Sequence, residues 1–276
     1  MCIRRSEEVA VASDNIPGAA LSIRGLAKTY PSGTEAIRNI TLEVMPGELV
    51  CIVGPSGAGK TTLLRCIAGL LSRSGGELFL AGSRVSGPPM GMAVVFQEYA
   101  RSLYPWFTVF QNVELPLREK GIGKAQRREM TLKALDAVGL DDFAQSHPWQ
   151  LSGGMQQRVA IARAIAYEPK VLLMDEPFAA VDAQTRADLE DLVLKLWKQL
   201  NTTVLFVTHD IEEAIYLGQR VVVLSGRPTE VLEDIRIDLP AERDQLTTRN
   251  APNFAELRTH VYRLIQKAKQ GHRRVA

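Results

Sequence analysis

The sequence lacks what a membrane-spanning, secreted or nucleic-acid-binding chain needs. No run of about 18 apolar residues occurs, so no segment is expected to cross a bilayer. Cysteine is scarce, three in 276 residues, and an odd number without paired spacing argues against a disulfide framework. Cys51 stands in an apolar strand pattern and Cys66 in a following helix, so both read as small buried thiols. The stretch Met1–Asn15 carries two arginines but no apolar core, so a secretory signal is not expected and a reduced, cytosolic chain is. Lys plus Arg number 33 against 31 Asp plus Glu, a net charge of +2, which implies no nucleic-acid partner. No repeat with a period of about 20–50 residues is visible, so the chain reads as one unit, not a tandem pair. His147, His260 and His272 have no neighbours at metal-ligand spacing and read as solvated.

What is present is ordinary globular composition, 46% hydrophobic and 23% charged, in a chain long enough for one large core with an inserted lobe. Residues 1–20 read as a loose leader. Short alternating stretches follow, Leu21-Ser22-Ile23, Thr41–Val44 and Glu77–Leu80, punctuated by Gly and Pro, and predict antiparallel strands with one face covered. Continuous apolar runs at Leu49–Val53, Val171–Met174, Val204–Val207 and Val221–Leu224 predict a parallel sheet covered on both faces. The charged helical pattern Gln126–Gly139, with Asp141–Gln150, predicts a separate helical lobe. Leu189, Leu192, Val193, Leu196 and Leu200 repeat at helical spacing, as do Phe254, Leu257, Val261, Leu264 and Ile265 near the end. The expected division is residues 21–250 as an α/β nucleotide-binding domain, with the helical lobe at about 98–165, and residues 251–276 as a helical tail, an appendage.

Gly54, Pro55, Ser56, Gly57, Ala58, Gly59, Lys60, Thr61 and Thr62 form a phosphate loop between an apolar strand and a helix beginning near Lys60. ATP is polyanionic, and such a loop lets successive backbone N–H groups wrap it while the helix N-terminus adds partial positive charge. In that frame Lys60 reaches the β- and γ-phosphates, Thr61 ligates Mg²⁺ and Thr62 steadies the α-phosphate. Asp175 and Glu176 end an apolar strand, where side chains point into the ligand crevice of a parallel sheet. Asp175 is then the Mg²⁺ holder and Glu176 the general base for the attacking water. Without the phosphate loop, the same two acids would read as loop caps before Pro177. The third motif is Leu151-Ser152-Gly153-Gly154-Met155-Gln156-Gln157-Arg158, opening a helix rich in alanine behind it. Ser152 is a good N-cap in its own right. An N-cap alone does not call for two glycines in the first turn, where each weakens the helix; close approach of a phosphate does.

With Gln97 ahead of this motif and Thr208-His209-Asp210 behind it, the chain resembles the ATP-binding subunit of an ABC transporter from about Leu21 to about Leu224. The resemblance implies a P-loop NTPase of ABC-cassette type, with a parallel-sheet core, an antiparallel β subdomain and an inserted helical subdomain. It implies ATP and Mg²⁺ as cofactors. Gln97 would sense Mg²⁺ and the γ-phosphate. His209 would hydrogen-bond the γ-phosphate and orient the water. Tyr30 would stack on adenine, the alternative being a surface tyrosine in a turn. Ser152, Gly153 and Gly154 would contact ATP held by a second copy across a head-to-tail dimer. Asp182 matches the family, but Ala179-Ala180-Val181-Asp182 replaces the usual Ser-Ala-Leu-Asp or Gly-Ala-Leu-Asp, which points to altered communication between sites. Met155 stands where Gln is common, as in related importers.

Three classes compete: a transporter ATPase, a soluble ABC protein of repair or translation, and an unrelated P-loop kinase or GTPase. LSGG with His209 disfavours the last. The single cassette and the lack of a long coiled-coil insertion disfavour the second. Gln97 to Trp106 and Pro252 to Arg258 resemble the nitrate/sulfonate/taurine importer group. That implies peripheral attachment at the cytoplasmic face of the inner membrane, on integral-membrane permease subunits, with a substrate-binding protein served indirectly. The expected permease contact is the window Tyr99–Phe110, through Tyr99, Leu103, Tyr104, Trp106 and Phe107, while Phe110 and Val113 fill the lobe's own core.

Overall fold

The computed structural model describes residues 18–273, without the side chains of Tyr99, Ala100 and the last three of these; the expected leader lies almost wholly outside the described residues. Ten strands form one curled sheet in the order β5-β4-β1-β2-β10-β9-β3-β8-β7-β6. They are β1 (Leu21–Thr29), β2 (Glu35–Val44), β3 (Leu49–Val53), β4 (Gly75–Leu80), β5 (Ser83–Arg84), β6 (Met92–Val95), β7 (Val171–Asp175), β8 (Thr203–Val207), β9 (Arg220–Leu224) and β10 (Thr229–Arg236). Among the described residues eight α-helices accompany them: α1 (Lys60–Ile67), α2 (Tyr99–Ser102), α3 (Val109–Glu119), α4 (Lys124–Ala137), α5 (Gly153–Ala166), α6 (Ala183–Leu200), α7 (Ile211–Leu217) and α8 (Pro252–Arg273).

The two strand types fall where their residue patterns put them. β1 pairs antiparallel with β2 and β4, and β4 with β5. The continuous apolar strands β3, β8, β7 and β9 run parallel to one another, with β6 parallel to β7 at the edge. A strand buried on both faces is apolar along its length, and every residue of β3, β7 and β8 is buried, with polar residues only at strand ends, Asp175 and Thr203. Alternation still sorts them: Leu49, Cys51 and Val53 face the helices α3 to α6, while Val50 and Ile52 face α1. α1 is enclosed between the antiparallel half and the parallel half, with Leu63, Leu64 and Ile67 fully buried among residues of both. Both thiols, Cys51 and Cys66, are buried, and burial pushes them up from the usual thiol range.

The helical lobe also holds α3, a helix outside the expected segments, whose buried Val109, Val113 and Leu117 recur at helical spacing with Pro116 off that face. Thr108 caps it by accepting from the Gln111 N–H, and Gln111 returns a bond to the Thr108 N–H. Val113 is buried in the lobe as expected, and Phe110 is half-buried.

The tail is not a loose appendage. α8 places Phe254, Val261 and Ile265 in the same core as α6 and α7. Phe254 is 1% exposed, so Phe254→Ala should cost about 3–5 kcal/mol of stability. Urea unfolding followed by far-UV circular dichroism checks this; a loss within error of zero would show that the tail packs without contributing.

Candidate nucleotide site

The loop between β3 and α1 crosses its glycines where the backbone must turn left-handed. Gly57 and Gly59 have φ of 77° and 84°, a region in which a Cβ is strained. A neighbouring segment holds the loop from outside: Thr229 Oγ1 of β10 donates to the Ala58 carbonyl. The α1 N-terminus then opens into a cleft of about 410 Å³ lined by Ser56–Thr62, Glu176, His209 and Arg227.

Lys60 is the charge at the floor of this cleft. Its Nζ donates to the carbonyls of Gly54 at 3.1 Å and Pro55 at 3.3 Å, and lies 3.6 Å from Glu176 Oε1. The other Glu176 oxygen, Oε2, meets His209 Nδ1 at 2.8 Å. Glu176 is aimed there by an unusual backbone, φ 44° for a non-glycine residue, pinned by its N–H donating to the Val207 carbonyl at 2.8 Å. Such strain persists only where the surroundings over-determine it, and it clusters at functional sites.

Asp175, the last residue of β7, is 3% exposed and accepts from Thr61 Oγ1 at 3.2 Å. Burial lifts its carboxyl above the ordinary range, opposed by the Thr61 hydrogen bond, with Glu176 adding to the lift. Among the described residues no cluster of three or more His, Cys, Asp or Glu could hold a metal. Two hard oxygens this close, beside a phosphate loop, suit a cation that takes one or two protein oxygens and completes its shell with phosphates and water.

The remaining predicted residues do not line the cleft. Tyr30, half-buried, touches its edge through its hydroxyl, 3.0 Å from Thr62 Oγ1. Gln97 is exposed two residues after β6, which ends at Val95. Ser152 caps α5, its side chain accepting from the Met155 N–H, and Gly153 and Gly154 form the first turn behind it. A Cβ on Gly154 would come within 2.4 Å of Thr185 Cγ2, so packing against α6 already calls for a small residue there. Asp182 caps α6, accepting from the Thr185 N–H and hydroxyl, which lower its pKa. Sequence reasoning missed Arg227; the signal was the turn Ser225-Gly226-Arg227 directly after β9, the strand hydrogen-bonded beside β3.

Two histidines expected to be solvated have partners. His147 Nδ1 is 3.2 Å from the Phe107 carbonyl and its ring stacks on Trp149, and His260 Nε2 meets Glu233 at 2.8 Å. The His272 side chain lies outside the described residues. Leu103, expected on the surface, is buried at 3% exposure. Tyr104 and Trp106 are exposed, and Asn112 fixes their loop by accepting from the Tyr104 N–H and donating to the Tyr104, Phe107 and Thr108 carbonyls. The side chain of Tyr99 is outside the described residues.

Residues 37–179 match the family described as ABC transporter. The chain belongs to that family. The cassette is 47% identical over 209 residues to the nitrate import ATP-binding protein NrtD of Synechocystis sp., covering 76% of this chain and 78% of that protein. It is 41% identical over 252 residues to the taurine import ATP-binding protein TauB of Roseobacter denitrificans, covering 89% and 93%. A solved dimeric, post-hydrolysis state of the ATP-binding cassette MJ0796 with ADP and Pi superposes with a TM-score of 0.69 at 35% identity, over 79% of this chain and 98% of that one. The fold is therefore the P-loop ABC cassette and the chain a transport-coupled ATP hydrolase. No helix among the described residues is long and apolar enough to cross a membrane.

One further titrating group stands behind His209. Glu213, on α7, is 4% exposed. Burial pushes its carboxyl up from 4.5 to about 8, opposed by a hydrogen bond from Thr208 and assisted by Glu190 and Asp210. A raised folded-state value means the folded chain holds a proton that the unfolded chain has released. That stabilisation is full below 4.5 and is lost as the pH climbs to about 8. Glu213→Gln should match the parent at pH 5 and exceed it increasingly toward pH 9 in urea midpoint. Parallel midpoint curves for the two proteins would refute the assignment.

Proposed function

We propose that this cassette powers import of a small anion, of the nitrate, sulfonate or taurine kind, through separate membrane permease subunits served by a substrate-binding protein. Two such cassettes work together as a head-to-tail dimer at the cytoplasmic face of the membrane. The observation that carries the hydrolytic reading is Glu176 held between Lys60 and His209 at the mouth of the phosphate loop. The names of the nitrate and taurine import relatives support the anion class. The soluble repair or translation alternative has no observation in its favour.

In this reading the loop N–H groups and Lys60 receive the β- and γ-phosphates, and Arg227 adds charge from the far wall. Thr61 and Asp175 would hold Mg²⁺, which supplies neutralisation of charge on the phosphates; Gln97 would approach the same ion when its segment closes. Tyr30 faces the base and Thr62 the α-phosphate. As phosphate engages Lys60, Glu176 is released from that ion pair and accepts the proton of the attacking water, while His209 holds Glu176 in place and bonds the γ-phosphate. Ser152, Gly153 and Gly154 present the α5 N-terminus to ATP held by the partner, and Asp182 lies on the same side, at the start of the helix against which Gly154 packs.

Glu176→Gln should bind ATP yet hydrolyse it about 10²–10³ more slowly, and should sediment as a dimer with ATP, since each nucleotide bridges two chains. Adding Ser152→Arg should return it to monomer. Phosphate release near the parent rate would remove Glu176 from its role, and a persistent dimer in the double variant would place the interface elsewhere.

The permease contact is assigned to the loop after Leu103. Tyr104 and Trp106 stand exposed with ring centroids 5.5 Å apart. Arg163 of α5 donates to the Ser102 carbonyl and hydroxyl at 2.6 and 2.8 Å, which ties this loop to the helix that Ser152 caps. Rigid exposed aromatics of this kind anchor interfaces. Tyr104→Ala with Trp106→Ala should leave folding and soluble ATP hydrolysis near the parent values while abolishing co-purification with the permease in detergent. Normal co-purification would show that the contact lies elsewhere.

A further inference from the structure

His209 ends the strand side of a very short helix. α7 has 7 residues, too few to be stable alone, so its position is set by what holds it. On its own loop side, Asp210 caps it, accepting from the N–H groups of Glu212 and Glu213. Arg186 of α6 reaches the same Asp210 carboxylate at 3.4 Å and donates to the Val181 carbonyl, beside Asp182. On the far side the segment leading into α8 grips both helices. Arg249 pairs with Glu190 of α6 at 2.6 Å and with Glu212 of α7 at 3.3 Å, and its guanidinium lies over the Tyr216 ring at 4.9 Å. Gln245 steadies that guanidinium, accepting from Arg249 Nε at 2.9 Å and donating to Glu190 at 3.0 Å. Arg258 adds a second bond to Glu212 at 3.0 Å.

Glu190 explains why the tie is strong. It is 1% exposed, and a buried carboxylate must be paired to be tolerated. Arg249 supplies the charge, and its remaining fork reaches α7. The two helices so joined carry, at their starts, the two loops of the site: Asp182 before α6, and His209 with Asp210 before α7.

We propose that Arg249 is a positioning residue for ATP hydrolysis, which joins α7 to α6 through Glu212 and Glu190 and thereby sets the His209–Glu176 contact above Lys60. The segment leading into α8 is then part of the hydrolytic machine, although none of it reaches the cleft. This inference rests on the reading of Glu176 and His209 as the hydrolytic pair.

The decisive variants cut the tie without leaving a buried charge alone. Arg249→Met with Glu190→Gln neutralises both partners, and Glu212→Gln, on a half-buried position, removes the ion pair at the α7 end alone. Each is compared with the parent in urea midpoint, affinity for a fluorescent ATP analogue, kcat, KM and the ring proton and carbon shifts of His209, assigned with His209→Ala. With the fold retained, the expected outcome is analogue affinity and KM within about twofold, kcat lowered about tenfold in the pair and less in Glu212→Gln, and a displaced His209 signal. That loss is smaller than the roughly 10²–10³ of removing a direct contact. An unmoved His209 signal with unchanged kcat in Glu212→Gln overturns the proposal, whether or not the paired variant folds. A raised KM with unchanged kcat overturns it too. Should His209→Ala itself keep the parent kcat, the underlying hydrolytic reading falls, independently of Arg249.

Discussion

The enclosure of α1 between the two halves of the sheet is the constraint on which the rest depends. Leu63, Leu64 and Ile67 are fully buried against both halves, so this helix cannot shift or rotate without opening the core. Its N-terminus is fixed relative to β3, and the phosphate loop is fixed with it. Three of the side chains that line the cleft with the loop come from the carboxyl ends of parallel strands: Glu176 after β7, His209 after β8 and Arg227 after β9. Order of the strands in space sets β8 between β3 and β7 and so brings together Glu176 and His209, 33 positions apart in the chain.

The electrostatics of the cleft are those of a site prepared for an anion. Lys60 leans on two carbonyls and one carboxylate, partners that a triphosphate outcompetes because it brings more charge at the helix N-terminus. Asp175 is desolvated and raised, a condition that a cation beside it relieves. Glu176 sits on a strained backbone with its two carboxylate oxygens on Lys60 and His209.

The helices around this centre transmit position. α5 is tied by Arg163 to the aromatic loop and by Gly154 to α6; α6 is tied by Arg186 and Arg249 to α7. A cassette that contacts a membrane subunit and binds nucleotide needs such links, the arginine ties through directional polar bonds and the Gly154 contact through close packing.

The sequence by itself determined the nucleotide chemistry and the strand classes. Gly54–Thr61 needs only local geometry, strand, turn and helix, and the period of apolar residues separates one-face strands from two-face strands. Only the tertiary structure decided what depends on side chains far apart in the chain. Leu103 is buried because Asn112 folds its loop back, Gly154 is glycine partly because Thr185 lies against it, and Arg227 enters the cleft because β9 happens to border β3. The tail reads as an appendage because its pattern shows an apolar face but not what covers it. Its union with α6 and α7 rests on Phe254 in the core and on Arg249 bridging two acids 22 residues apart, contacts whose partners no local periodicity encodes.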